Sequence, residues 1–107
     1  MIDWPRVREL KDEVGEDGFE EVIELFLEEV EEVIEKLGTN DRSQLEQDLH
    51  FLKGSALNLG FETFSNLCLE GERMSANGQA ADVDVAKIIE AYHSSKATFL
   101  SDVSTNA

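Results

Sequence analysis

The sequence predicts an all-α protein: an antiparallel four-helix bundle with a short additional helix at the N-terminus. Three observations carry this. Apolar residues recur at spacings of three and four along most of the chain, the signature of amphipathic helices. No segment alternates cleanly with the period of two that a strand requires. One proline and seven glycines leave room for long uninterrupted elements. The 107 residues suit one domain, residues 1–107. A chain of this size buries roughly two thirds of the surface it exposes when unfolded. That makes one core and leaves too little for a cleft between two lobes.

The expected helices span about 3–14, 17–37, 41–60, 62–76 and 83–103. Asp3 is placed to cap the first, with Pro5 tolerated in its first turn, and Trp4, Val7, Leu10 and Val14 recur at helical spacing. Gly15 and Gly18 then break the chain. Asp17 and Glu20 are spaced as a capping box for the second helix, whose stripe is Phe19, Val22, Ile23, Phe26, Val30, Val33 and Leu37. Gly38 stops it. The third helix has two candidate caps, Asp41 with Gln44 or Ser43 with Glu46, and reaches Gly60. The fourth turns Phe64, Leu67, Cys68, Gly71 and Met74 inward and ends at the Asn77–Gly78 turn. The fifth starts near Asp82 or Asp84, and Val85, Ile88, Ile89, Tyr92, Phe99 and Val103 form its stripe. The polar tail from Ser104 is expected to fray.

Charge excludes several functions. Acidic residues number 24 against 9 basic ones, for a net charge of −15. Nucleic acids and anionic membranes need a basic surface, so neither is an expected partner. Half of the acids lie between Asp12 and Glu35 with no base among them. That stretch reads as a solvated face held helical by its apolar stripe; its charge either keeps the chain soluble or steers basic partners. Cys68 is the only cysteine and lies in an apolar stretch, so it reads as core, and no thiolate pair can hold zinc. The charged N-terminus does not resemble a signal peptide, and no apolar run approaches membrane-spanning length. A cytoplasmic location and a monomer are the expectations, with no cofactor and no metal.

The third helix carries the chemistry. On a wheel of about 100° per residue with His50 at zero, Leu45, Leu49, Leu52, Ala56 and Leu59 cluster at roughly 180–260°. They form the buried stripe, and His50 points away from it to solvent. Beside His50 on the exposed face lie Glu46 one turn before, Lys53 and Gly54 one turn after, and Leu57 two turns after. A neutral imidazole has a lone pair and attacks an electrophile without a strong base. Glu46 is placed to orient the ring, and Lys53 to neutralise anionic oxygens. Glycine inside a helix costs about 1 kcal/mol relative to alanine. Gly54 therefore has a use: room for a partner to close over the ring, or else a bend or a packing contact. Leu57 is apolar on an exposed face and is a candidate docking residue together with Val14. His93 lies beside the fifth-helix stripe and reads as boundary packing or surface, and Ser55 lacks the Gly-x-Ser-x-Gly setting of a serine hydrolase.

The run His50–Gly60, HFLKGSALNLG, resembles the signature of histidine-containing phosphotransfer (HPt) domains, H-x-x-K-G-S-[SA]-x-x-x-G. His50, Lys53, Gly54, Ser55 and Gly60 match in register, and Ala56 stands where the family often has serine. The likeness covers about residues 40–76, including FETFSNLCLEGERM as the following helix. It implies a four-helix bundle with an exposed phospho-accepting histidine, His50, reacting at Nε2. Lys53 would steady the phosphoryl group, Gly54 would admit the partner, and Gly60 would serve helix geometry. The implied partners are response-regulator receiver domains and a hybrid histidine kinase. The implied role is a phosphocarrier without kinase or ATPase activity, the magnesium belonging to the receiver. No P-loop, glycine-rich nucleotide loop or kinase signature is present, in keeping with that division.

Two other readings compete. One is the phospho-accepting domain of a chemotaxis-type kinase, charged from bound ATP. The initial Met and polar tail favour a free-standing protein over that. The other is a non-catalytic acidic helical interaction module.

Overall fold

A computed structural model describes residues 2–39 and 41–106. Five helices follow in order: α1 Trp4–Val14, α2 Glu16–Leu37, α3 Leu45–Leu59, α4 Glu62–Ala76 and α5 Val85–Asn106. A 3₁₀ turn, Ala80–Asp82, joins α4 to α5. Among the described residues the only extended pairing is an isolated antiparallel bridge between Ile2 and Phe61. The fold is all-α, as expected. Helices α2, α3, α4 and α5 pack in a ring, each on the next and α5 back on α2, while α1 packs against α2 and α3.

Local chemistry sets the ends. Asp3 caps α1, its Oδ1 accepting from the Arg6 amide at 3.2 Å, and Pro5 sits in the first turn, where it forfeits no helical hydrogen bond. Gly15 alone breaks α1 from α2. Its φ of 81° ends one helix, and it is the N-cap of the next. The expected Asp17–Glu20 capping box is therefore not formed: Asp17 and Gly18 already lie inside α2, where Glu16 and Asp17 favour the positive end of the helix dipole. Neither expected cap of the third helix forms. Asp41 Oδ1 accepts from the Ser43 amide and hydroxyl in a turn, and α3 starts later, at Leu45. Asp84 caps α5 through the Lys87 amide at 3.0 Å. The tail is helical where fraying was expected: α5 continues to Asn106, whose carbonyl accepts from Arg8 Nη1 at 3.0 Å, and Ala107 lies outside the described residues.

The third-helix stripe is buried as the wheel places it: Leu45, Leu49, Leu52, Ala56 and Leu59 are at most 1% exposed. On α2 the buried line runs through Phe19, Ile23, Leu27, Val30, Ile34 and Leu37, while Val22, Phe26 and Val33 are only partly covered. The sequence stripe missed Leu27 and Ile34 because a wide apolar face admits more than one line. Phe61, Phe64, Tyr92 and Phe99 form an aromatic centre with ring separations of 5.4–6.3 Å, and Trp4 stacks on Phe99 at 5.8 Å. Cys68 is fully buried, and burial pushes its thiol up to about 12. Tyr92 Oη donates to Glu31 Oε2 at 2.6 Å, and Lys96 pairs with the same oxygen, pinning α5 to α2. Burial, with that carboxylate, pushes the Tyr92 phenol far up.

Candidate functional site

The site lies on the α3–α4 edge. Two glycines bring these helices together. Gly60 has a φ of 76° and ends α3 in a Schellman turn: its own N–H donates to Leu57 O, and that of Phe61 to Ala56 O at 2.9 Å. Gly71, on α4, lies against Leu49 of α3. A Cβ there would sit 2.7 Å from Leu49 Cδ1. The missing side chain lets α4 approach α3 one residue away from Glu72 and His50.

His50 stands out from α3 with its side chain 70% exposed. Its Nδ1 lies 2.8 Å from Glu72 Oε2. Lys53, one turn further along α3, places Nζ 2.7 Å from the other oxygen, Oε1. One carboxylate from α4 thus meets both His50 and Lys53 of α3. Lys53 foremost, opposed by partial burial and aided by the His50 hydrogen bond, holds the Glu72 carboxyl below the usual carboxylate range. Glu72 is then ionised at neutral pH and can only accept hydrogen bonds. The Nδ1 facing it must carry the proton. In the neutral ring that leaves the lone pair on Nε2, pointing to solvent.

The other expected residues fall as follows. Glu46 is exposed and makes no hydrogen bond or ion pair with His50 among the described residues; the orienting carboxylate is Glu72. An i−4 neighbour lies along the same helix surface and can stay in solvent, whereas Glu72 comes from a second helix facing the ring. A Cβ on Gly54 would meet nothing within 4 Å, so packing does not explain this glycine, and α3 runs through it unbroken. Leu57 is 59% exposed, and Val14, at the end of α1, 36%. Phe51, next to His50 and 39% exposed, is an apolar neighbour missed by sequence reasoning. Glu72 was missed too, although it continues the inward spacing Phe64, Cys68, Glu72, an odd place for a carboxylate. His93 is exposed and stacks edge-on with Tyr92, away from this edge. No group of three potential metal ligands exists among the described residues.

An exposed imidazole on a helical bundle, with a carboxylate at Nδ1 and a lysine alongside, is an arrangement suited to carrying a transferable group on histidine. The family model described as Hpt domain matches residues 21–97. The chain belongs to that family, and its function is histidine phosphotransfer within a phosphorelay. It is also similar to Phosphorelay protein LuxU of Vibrio vulnificus strain YJ016, 26% identical over 107 residues, with 94% of this chain and 93% of the relative covered. The same figures hold for Phosphorelay protein LuxU of strain CMCP6. No solved structure gives a match.

Proposed function

We propose that His50 accepts the phosphoryl group through Nε2 from an aspartyl phosphate of a receiver domain and passes it to the aspartate of another. The observation that carries this is the 2.8 Å contact between Nδ1 and Glu72 on an otherwise exposed ring. The Nε2 lone pair forms the new P–N bond while the P–O bond to the donor aspartate breaks, and the aspartate leaves as a carboxylate with the electron pair. Nδ1 keeps its proton throughout. The ring becomes cationic on phosphorylation, and Glu72 stabilises that charge. Lys53 balances the phosphoryl oxygens; it is already held beside the ring by Glu72. Magnesium and the remaining charge stabilisation come from the receiver, and the chain itself has no kinase or ATPase activity. Leu57, Val14 and Phe51, with Glu46 at the margin, form the surface on which the receiver docks. The protein works as a cytoplasmic monomer, its negative charge opposing self-association and nucleic-acid or membrane binding.

The test offers the protein a phosphorylated receiver in one reaction and an ATP-loaded kinase domain in another, and follows label by quenched-flow. Transfer from the receiver within seconds supports the reading. Labelling by the kinase domain alone refutes it in favour of a kinase-tethered acceptor.

Glu72→Gln should slow transfer on the order of 10- to 100-fold, the range found for carboxylate partners of metal-bound histidines. It also has a signed pH signature. The Glu72 pKa is lowered by folding, so its stabilising contribution is complete above the ordinary carboxylate value of about 4.3 and is lost as pH falls through the folded value. The melting-temperature gap between wild type and Glu72→Gln should be widest at neutral pH and narrow as pH falls below the ordinary carboxylate range.

Gly54→Ala should separate stability from function. With open space around the site, the substitution should stabilise the fold by about 1 kcal/mol. Tm should rise by about 4–8 °C. Transfer from the receiver should nevertheless slow, and unchanged transfer kinetics would remove Gly54 from the docking surface.

A further inference from the structure

The α2–α5 edge lies across the bundle from the α3–α4 edge that carries His50. There the two helices touch sparsely. They are pinned at one end by Glu31 with Tyr92 and Lys96. Beyond that pin a groove of about 310 Å³ opens to solvent between the start of α2 and the Phe99–Val103 stretch of α5. Phe19, Ile23 and Leu27 form its floor, and Leu100, 53% exposed, stands on the α5 wall. Glu20 and Glu24 line its other side.

Those two belong to a row at i, i+4 spacing on α2: Glu16, Glu20, Glu24 and Glu28, all exposed. Like charges at that spacing destabilise a helix. Glu16 pairs with Lys11 Nζ at 3.9 Å, while among the described residues no ion pair holds Glu20, Glu24 or Glu28. An apolar floor beside the carboxylates of Glu20, Glu24 and Glu28 is complementary to a helix with an apolar stripe and a basic flank. The lengths agree as well. Phe19 to Leu27 spans two turns, about 12 Å, which matches i, i+4, i+7 anchors of a bound helix.

We propose that the α2–α5 groove is a docking site for a basic amphipathic helix of a partner protein, apolar face down and cationic flank against the Glu16–Glu28 row. A second copy of this chain is disfavoured there, because it would bring a net charge of −15 against the same row. The groove can be filled while His50 remains open to a receiver, so the domain can be tethered and still exchange its phosphoryl group.

The test uses the full chain, ¹⁵N-labelled, and two synthetic 18-residue Leu/Lys peptides of identical composition. One is arranged as an amphipathic helix, the other rearranged so that no apolar stripe forms. The amphipathic peptide should bind at least tenfold more tightly, gain helicity, and shift amide resonances along α2 and the C-terminal half of α5 but not around His50. Leu100→Glu, a change at an exposed position, should weaken binding at least tenfold with an unchanged circular-dichroism spectrum. Glu20→Gln/Glu24→Gln should flatten the salt dependence. Equal binding of both peptides, shifts spread over the whole acidic surface or centred on His50, or insensitivity to Leu100→Glu would each overturn the proposal. So would sedimentation showing a dimer that Leu100→Glu dissolves, since the groove would then hold a second copy.

Discussion

His50→Gln should abolish phosphoryl transfer while leaving the fold unchanged. The side chain is 70% exposed and belongs to no part of the core, so the stability change should stay within about 0.5 kcal/mol. Glutamine has amide donors that can face Glu72 as Nδ1–H does, which keeps the Glu72–Lys53 pair in place. It has no nitrogen lone pair available for attack on phosphorus. Acid-labile, base-stable label from a phosphorylated receiver should therefore fall to background, with the circular-dichroism spectrum and Tm of wild type. Label persisting on His50→Gln would place the acceptor elsewhere and end the assignment of this edge.

The largest loss of stability is expected from Gly60→Ala. Gly60 adopts a left-handed φ of 76°, which costs a residue with a Cβ about 1 kcal/mol or more. The added Cβ would sit 2.7 Å from Asp3 O, a backbone atom that cannot rotate away, and 3.1 Å from Val7 Cγ2. Relieving the overlap means moving α1, and with it the hydrogen bond from the Asp3 amide to Gly60 O at 2.7 Å. Strain and overpacking together should cost on the order of 2–4 kcal/mol. For a domain of this size Tm should drop by roughly 10–25 °C. Thermal melts followed at 222 nm and by Trp4 fluorescence would measure it. A loss smaller than that of an exposed-surface substitution would show that the α3–α4 turn does not hold α1.

Both predictions concern residues the sequence singled out, His50 by its place on the wheel and Gly60 as the end of the third helix, with their roles implied by the HPt resemblance. The wheel of α3 separated His50 from Leu45, Leu49, Leu52, Ala56 and Leu59 because a helix fixes the direction of each side chain relative to its neighbours. The end of the third helix near Gly60 was equally legible, and the structure shows it as a left-handed cap with a φ of 76°. Caps at Asp17, Asp41 and Ser43 were plausible by composition and did not form. Several polar residues near a helix start compete to cap it, and the turn before the helix decides among them.

Glu72 shows where sequence reading stops. Glu46 and Glu72 are both carboxylates, and Glu46 is the nearer to His50 in sequence. Which one meets the ring depends on how α4 folds back on α3. The turn at Gly60–Phe61 sets that register, so positions nearly equidistant from it face each other, 49 with 71 and 50 with 72. The contact of Gly71 with Leu49 then brings the helices close enough for Glu72 to reach both Nδ1 of His50 and Nζ of Lys53.

Sequence alone determined the all-α class, through helical periodicity along most of the chain, and the exposed imidazole with a lysine beside it, through spacing along one helix. The family entered through the resemblance of His50–Gly60 to the HPt signature. Which ring nitrogen holds the proton, which carboxylate holds the ring, and the apolar groove on the opposite edge were decided only by tertiary structure. Each depends on side chains from two helices whose register and separation no single helix encodes.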